Sequence, residues 1–99
     1  MANLTILYWR DIPSQVIVRS GRNSAKRELS EPFIQAIDAA AMRAQASDAN
    51  AYLAEWRRAE PTPCGDDLEA EASAAAARLE IEYDTHRLAE LAKRAGREA

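Results

Sequence analysis

Residues 4–18 constrain the fold more than any other part of the sequence, because they have its densest β-branched and aromatic content. One polar interruption, residues 10–14, divides the stretch into two apolar runs. Pro13 fixes its own φ and favours an extended Ile12, and the Asp11 carboxylate is suited to accept a hydrogen bond from a backbone N–H two residues on. The pattern predicts two strands joined by a short turn. Both faces of each run are largely apolar, so we expect at least one strand to be covered on both sides.

A third strand is predicted after a second turn. Ser20, Gly21 and Asn23 are strong turn residues. Residues 25–29 then return as a short, charged segment that suits the edge of a sheet. The expected sheet is therefore a small antiparallel three-stranded meander.

The first helix is predicted to begin at residues 30–33. Ser30 or Glu31 lies at its cap, and Pro32 falls in the first turn, where the missing N–H has no cost. The helix should end near Ala46. Its apolar residues recur at helical spacing and are expected to pack on the sheet: Phe33, Ile37, Ala40, Ala41 and Ala44, with Ile34 beside them.

A second short helix is predicted over residues 49–58, capped by Ser47 and Asp48. It presents three large apolar side chains: Tyr52, Leu53 and Trp56. The two aromatic residues, Tyr52 and Trp56, are interpreted as core, with a ligand platform as the alternative.

Residues 59–65 contain two prolines and a glycine and interrupt the helical pattern. One long helix is then predicted over residues 66–95, because Asp66 and Glu69 have the spacing of a capping box and alanine is abundant. Its apolar residues form two stripes: Leu68, Ala72, Ala75, Leu79 and Tyr83, then Ala77, Ile81, Leu88, Leu91 and Ala95. The first stripe is expected to dock on the body. The second predicts either a seam for a homo-oligomer or protein partner, or an exposed Ala-rich face.

Composition sets the size of the core. Ninety-nine residues make one small domain, and 22 of them are alanine, so large apolar side chains are scarce. The predicted class is α+β: the meander packed by two short helices, then the long helix. Residues 1–60 carry eight basic and seven acidic side chains, whereas residues 61–99 carry five and nine. The second part is therefore expected to be either an acidic appendage or part of the same structural unit.

Charge and cysteine content limit the partners. A net charge of −3 argues against general affinity for nucleic acid or membrane surfaces, and no apolar run approaches the ~18 residues of a membrane span. Cys64 is the single cysteine, so no internal disulfide is available and a cytoplasmic location is expected.

No motif points to catalysis. The lone cysteine and lone histidine, Cys64 and His86, are separated by most of the predicted long helix, so a nucleophilic pair within one chain is not expected. His86 and Glu90 share a helix face and are interpreted as a solvated pair rather than metal ligands. The three glycines are too scattered for a phosphate loop. We therefore expect no metal and no cofactor, and the sequence leans away from an enzyme.

Two binding surfaces are predicted near the meander. Five cations fall on it, beside aromatic residues: Arg10, Arg19, Arg22, Lys26 and Arg27. They suit a phosphorylated cofactor, a nucleic acid or an acidic protein surface, and the alternative is a solvated hairpin. The second surface is the sheet end around Trp9, Arg10, Asp11 and Gln15, interpreted as either a contact for a protein partner or simply a well-built turn.

Three strings carry a resemblance to a known family: residues 8–18, beginning Tyr-Trp-Arg-Asp-Ile-Pro, then residues 36–42 and residues 48–58. The chain resembles the bacterial "virulence factor" domain family over about residues 4–60, and is similar to the C-terminal part of conserved virulence factor C. That family implies no established catalytic residue. The scarcity of catalytic groups and the thin, Ala-rich core predict a non-enzymatic interaction module. The resemblance implies an accessory role near one-carbon and corrinoid methyl transfer.

Overall fold

The computed structural model describes residues 2–45 and 49–98. Within these ranges the chain is α+β, as predicted, with five strands in one antiparallel sheet and four helices. In chain order the elements are β1 (Ala2–Trp9), β2 (Ile12–Ser20), β3 (Asn23–Glu28), α1 (Glu31–Arg43), α2 (Ala49–Ala54), β4 (Trp56–Arg58), β5 (Thr62–Cys64), α3 (Leu68–Glu82) and α4 (Thr85–Lys93).

The predicted meander is the centre of the sheet, whose strand order is β3-β2-β1-β4. The other edge of β1 is shared, because β4 pairs with residues 7–9 and β5 pairs with residues 2–4. These two short strands were not predicted. Residues 56–58 were expected to be helical and residues 62–64 to be irregular, but α2 ends at Ala54 and both segments satisfy backbone groups of β1.

The helix α1 begins as predicted, with Ser30 at its N-cap and Pro32 in the first turn. The Ser30 side chain makes no capping bond within the helix. Instead, the Glu80 carboxylate of α3 accepts hydrogen bonds from the Ser30 backbone N–H and hydroxyl, each at 2.7 Å. The helix ends at Arg43; the predicted end at Ala46 and the predicted cap at residues 47–48 lie outside the described residues.

The predicted long helix is wrong, because the chain breaks between α3 and α4. Asp84 caps α4 by accepting a hydrogen bond from the Arg87 backbone N–H at 2.8 Å. The break turns α4 onto α1, and Leu88 and Leu91 thereby enter the core. The second predicted stripe is thus divided, since these leucines are buried whereas Ile81 is 79% exposed. Residues 66–95 therefore form two helices and not one continuous rod, and contact of this region with a second copy or a protein partner stays a prediction.

One core joins the sheet to α1, α3 and α4. The first predicted stripe of α3 docks as expected: Ala72, Ala75, Leu79 and Tyr83 are buried, and Leu68 packs against them. Other core residues come from alternate positions of the strands and from α1: Ala2, Leu4, Val16, Val18, Ala25, Phe33, Ala36, Ile37, Ala40 and Ala41. Residues on both sides of position 60 therefore share this core.

The helices cover one face of the sheet and leave the other open over its central strands. The exposed positions alternate with the core positions, as in a half-buried antiparallel sheet. This open face carries Asn3, Thr5 and Leu7 of β1, Gln15, Ile17 and Arg19 of β2, Lys26 of β3 and Arg58 of β4. The expectation that a strand would be covered on both sides is wrong for β1 and β2 along this stretch. None of the helices in the described ranges is long and apolar enough to cross a membrane.

Candidate functional site

Trp9, predicted at the recognition end of the sheet, is completely buried. Its indole N–H donates to the Tyr52 carbonyl at 3.0 Å, and the two rings stack with centroids 5.8 Å apart. Trp56 meets the Tyr52 ring edge-on. The aromatic residues of α2 and β4 therefore close this end of the sheet, which agrees with their interpretation as core.

Arg10 is the first residue of the β1–β2 turn and has φ 53°. Its guanidinium donates from Nε to Glu55 Oε1 at 3.0 Å and from Nη1 to the Ala95 carbonyl at 2.8 Å, and it lies 5.2 Å from the centroid of the Trp9 ring. Only 16% of the Arg10 side chain is exposed. All of these contacts hold other parts of the same chain.

Asp11 is the second turn residue and joins two further segments. Its backbone N–H donates to the Gly96 carbonyl at 2.8 Å, and its Oδ2 accepts from the Glu98 backbone N–H at 2.8 Å. Its Oδ1 accepts from Arg57 Nη2 at 3.2 Å. Arg10 and Asp11 thus hold residues 95–98, which we name the closing segment. That they contact a separate partner stays a prediction.

The five predicted cations do not converge. Arg27 lies on the helix side, where its Nε donates to Ser73 Oγ at 3.1 Å and its Nη2 pairs with Glu69 at 3.3 Å. Arg22 lies in the exposed β2–β3 turn. Arg19 and Lys26 lie on the open face, and so does Gln15, opposite Leu7 of β1.

A groove of about 510 Å³ lies on the open face. Its lining comes from three strands and the β4–β5 connection: Asn3, Thr5, Ile17, Arg19, Arg58, Ala59, Glu60 and Pro61. Thr5 and Ile17 are paired across β1 and β2 and form its floor. Arg19 and Arg58 are exposed, and within the described ranges neither guanidinium forms a hydrogen bond or ion pair. We name this the open-face groove.

Arg58 was missed by the sequence reasoning, which assigned it to a helix. Pairing of β4 with β1 sets Arg58 opposite Leu7, on the same face as Thr5. The only local signal was a pair of arginines after Trp56 and just before the Pro-rich break. The preceding residue, Arg57, makes contacts within the chain instead. Its Nε donates to the Arg10 carbonyl at 2.8 Å, and its guanidinium lies 4.5 Å from the centroid of the Tyr8 ring.

The titratable groups form no catalytic arrangement in the part of the chain that the structure describes. No group of three or more His, Cys, Asp or Glu side chains there is placed to hold a metal ion. Burial raises the pKa of the Cys64 thiol, and the carboxylates of Glu71 and Asp66 raise it further. The thiol is therefore kept protonated and is a poor nucleophile at neutral pH. His86 is exposed on α4.

Comparison with known proteins gives a match to a family model. No curated protein and no solved structure shows significant similarity to the chain. The sequence model of a family described as "Virulence factor" matches residues 7–92, well beyond the residue 60 at which the resemblance was expected to end. The match takes in the Trp9–Asp11 turn, both arginines of the open-face groove, and α3 with nearly all of α4. The chain therefore belongs to the Virulence factor family.

Proposed function

We propose that the chain is a non-enzymatic interaction module that binds an acidic segment of a protein partner in the open-face groove. One observation carries the proposal: Arg19 and Arg58 stand beside the apolar floor of the groove without an acceptor, whereas Arg10, Arg27 and Arg57 are all engaged within the chain. Arg43 and Arg78 also have no side-chain partner in the described ranges, but they lie away from the groove, so lack of a partner combined with a place on the groove lining supports Arg19 and Arg58 as the binding pair.

The chemistry of the groove suits a carboxylate beside an apolar group. A guanidinium offers paired N–H donors that match the two oxygens of a carboxylate, and such charge-assisted bonds are about twice as strong as neutral ones. The half-buried Ile17 and Thr5 offer apolar surface between them. Burial of that surface adds to affinity at about 25 cal/mol per Å². Glu60 on the lining disfavours a ligand of uniformly high negative charge.

The absence of a catalytic arrangement in the described ranges supports a binding role. Cys64 is held protonated, and no polar side chain there is buried beside a cavity as a general acid or base would be. The accessory role in one-carbon or corrinoid methyl transfer stays a prediction of the family resemblance.

The alternative is that the basic residues of the β2–β3 hairpin bind a nucleic acid. Arg22 and Lys26 extend the positive charge beyond the groove, but Glu28 shares the open face with them and the whole chain is acidic. Phosphate backbones favour continuous positive charge, so we favour a protein segment and use an oligonucleotide as a comparison.

The test is an NMR titration of the full chain with an end-blocked Glu-Leu-Glu-Leu-Glu peptide. We expect saturable amide shift changes centred on Thr5, Ile17, Arg19 and Arg58. Charge reversal by Arg19→Glu with Arg58→Glu should abolish them. The matched control replaces two exposed helical arginines, Arg43→Glu with Arg78→Glu, and changes the net charge equally.

Three outcomes contradict the proposal. Shift changes away from the groove would place the binding surface elsewhere. If the control variant loses peptide binding to the same extent, the interaction depends only on the net charge of the chain. Binding of hexadeoxythymidine in place of the peptide, weakened by salt and by Lys26→Glu, would favour the nucleic-acid alternative.

A further inference from the structure

Arg10 and Asp11 hold the closing segment through three hydrogen bonds to its main chain. Arg10 donates to the Ala95 carbonyl, the Asp11 N–H donates to the Gly96 carbonyl, and Asp11 Oδ2 accepts from the Glu98 N–H, all at 2.8 Å. Both binding residues belong to one two-residue turn. The same three bonds are available to any peptide that adopts this backbone path, so the turn has the donors and acceptors of a peptide-binding site.

The path of the closing segment requires glycine at one position. Gly96 has φ +87°, a conformation that L side chains rarely adopt, and it follows Ala95 at φ 57°. A Cβ at position 96 would lie 3.1 Å from Trp9 Cζ3 and 3.3 Å from Arg10 Cβ. The Gly96 N–H donates to the Leu91 carbonyl at 2.7 Å and so caps the C-terminus of α4, and the Trp9 ring and Arg10 stem leave little room for a side chain there. The cap and the wall together favour glycine.

An acidic side chain two residues later supplies a second selection. The Glu98 carboxylate pairs with Arg87 Nη2 at 2.8 Å, and Arg87 also lies 4.0 Å from the centroid of the Tyr83 ring. Hydrogen bonding to Glu98 raises the pKa of the Arg87 guanidinium. The receptor therefore extends from the turn to the N-terminal part of α4, and the preferred sequence is glycine, any residue, then glutamate.

We propose that the Trp9–Asp11 turn is a peptide-binding site selective for glycine followed two residues later by glutamate, and that the closing segment is its resident ligand. This site is separate from the open-face groove and does not depend on it. A covalently tethered ligand is present at millimolar or higher effective concentration. A partner peptide of the same pattern enters only when the resident segment leaves.

The experiment uses the full chain carrying Gly96→Val, in which the β-branched side chain cannot adopt the required φ or fit against Trp9. An end-blocked peptide of residues 94–98 is titrated into it and followed by NMR. We expect saturable shifts of the Asp11 amide and the Trp9 indole at millimolar peptide. The unmodified chain should bind the peptide with an affinity at least about tenfold lower, because the resident segment fills its site.

Two peptide variants test the selection. The peptide carrying Gly96→Val should bind at least about tenfold more weakly. The matched control carries Arg97→Lys, which keeps the positive charge that lies 3.7 Å from Glu55 and should bind as the parent does. Equal binding of all three peptides, or no shift at Asp11 and Trp9, would overturn the proposal.

If the Gly96→Val chain does not fold, a second measurement on the unmodified chain tests the proposal. In the unmodified chain the Glu98 amide should be protected from hydrogen exchange, and Asp11→Ala should remove that protection while leaving Val16 and Val18 protected. Arg57→Ala is the control, because it removes the other partner of Asp11 without touching the closing segment. Exchange of the Glu98 amide at the unstructured rate in the unmodified chain would refute docking of the segment.

Discussion

Replacement of Trp9 by alanine removes the largest fully buried side chain of the described core. A truncation of this kind destabilises a protein by about 3–5 kcal/mol, through lost transfer free energy and the cavity left behind. Two features favour the upper part of that range. The substitution removes the stacking of Trp9 on the Tyr52 ring, 5.8 Å away, and such an aromatic pair is worth about 0.5–1.5 kcal/mol. It also removes the indole N–H that donates to the Tyr52 carbonyl at 3.0 Å.

The assay is urea unfolding followed by far-UV circular dichroism. A domain of this size has an unfolding free energy of about 5–15 kcal/mol, so Trp9→Ala should leave only part of it. With an m-value of about 1.5 kcal/mol/M, the urea midpoint should fall by roughly 2–3 M.

Trp9→Phe keeps one aromatic ring but loses the N–H and the atoms of the second fused ring, so it should lose about 1–3 kcal/mol. This milder variant keeps the test informative if Trp9→Ala does not fold. If Trp9→Ala lowers the free energy of unfolding by less than about 1 kcal/mol, the Trp9 ring is exposed in solution. That result would refute its buried position at the end of the sheet.

Three further outcomes are expected. Glu80→Ala should lower the unfolding free energy by about 1–2 kcal/mol in thermal or urea melts, because Ser30 loses both of its acceptors; an unchanged melt would contradict the cap supplied by α3. Asp84→Ala should destabilise by about 1 kcal/mol and lower α4 protection in hydrogen exchange; uniform loss across all helices would argue against a local cap. Because its pKa is raised in the folded state, Cys64 should react with iodoacetamide at pH 8 more slowly than in urea, and Glu71→Gln should speed the native reaction; equal native and unfolded rates would contradict the shift.

The parts of the fold that were predictable depend on neighbours in sequence. The β1–β3 meander follows from β-branched runs and turn residues, and the start of α1 follows from Ser30 and Pro32. The strand β4 was not predictable, since three residues acquire their strand conformation only by pairing with residues 7–9 of β1. The break at Asp84 carried a capping signal, but no proline or glycine marks it and good helix-forming residues stand on both sides.

The candidate site was predictable only in part for the same reason. Arg19 could be placed beside a strand from its position alone. Its counterpart Arg58 reaches the groove through the pairing of β4, which no local pattern indicates. Conversely, Arg10 and Arg27 resembled free cations in the sequence, because Glu55 and Ser73 meet them only in the folded chain.

The position of β1 has a consequence for synthesis. Its turn makes hydrogen bonds across 85 and 87 positions, to Ala95 and Glu98, and its outer edge pairs with β5. On the ribosome, β1 and β2 emerge before the elements that pair with them, and at about 5–20 residues per second the closing segment follows roughly 4–17 s after the turn that holds it. During the earlier part of this interval the edge of β1 lacks β4 and β5, and Trp9 lacks Tyr52. The nascent chain therefore has an unpaired apolar strand that invites wrong pairing or a chaperone until residues 52–64 have been made.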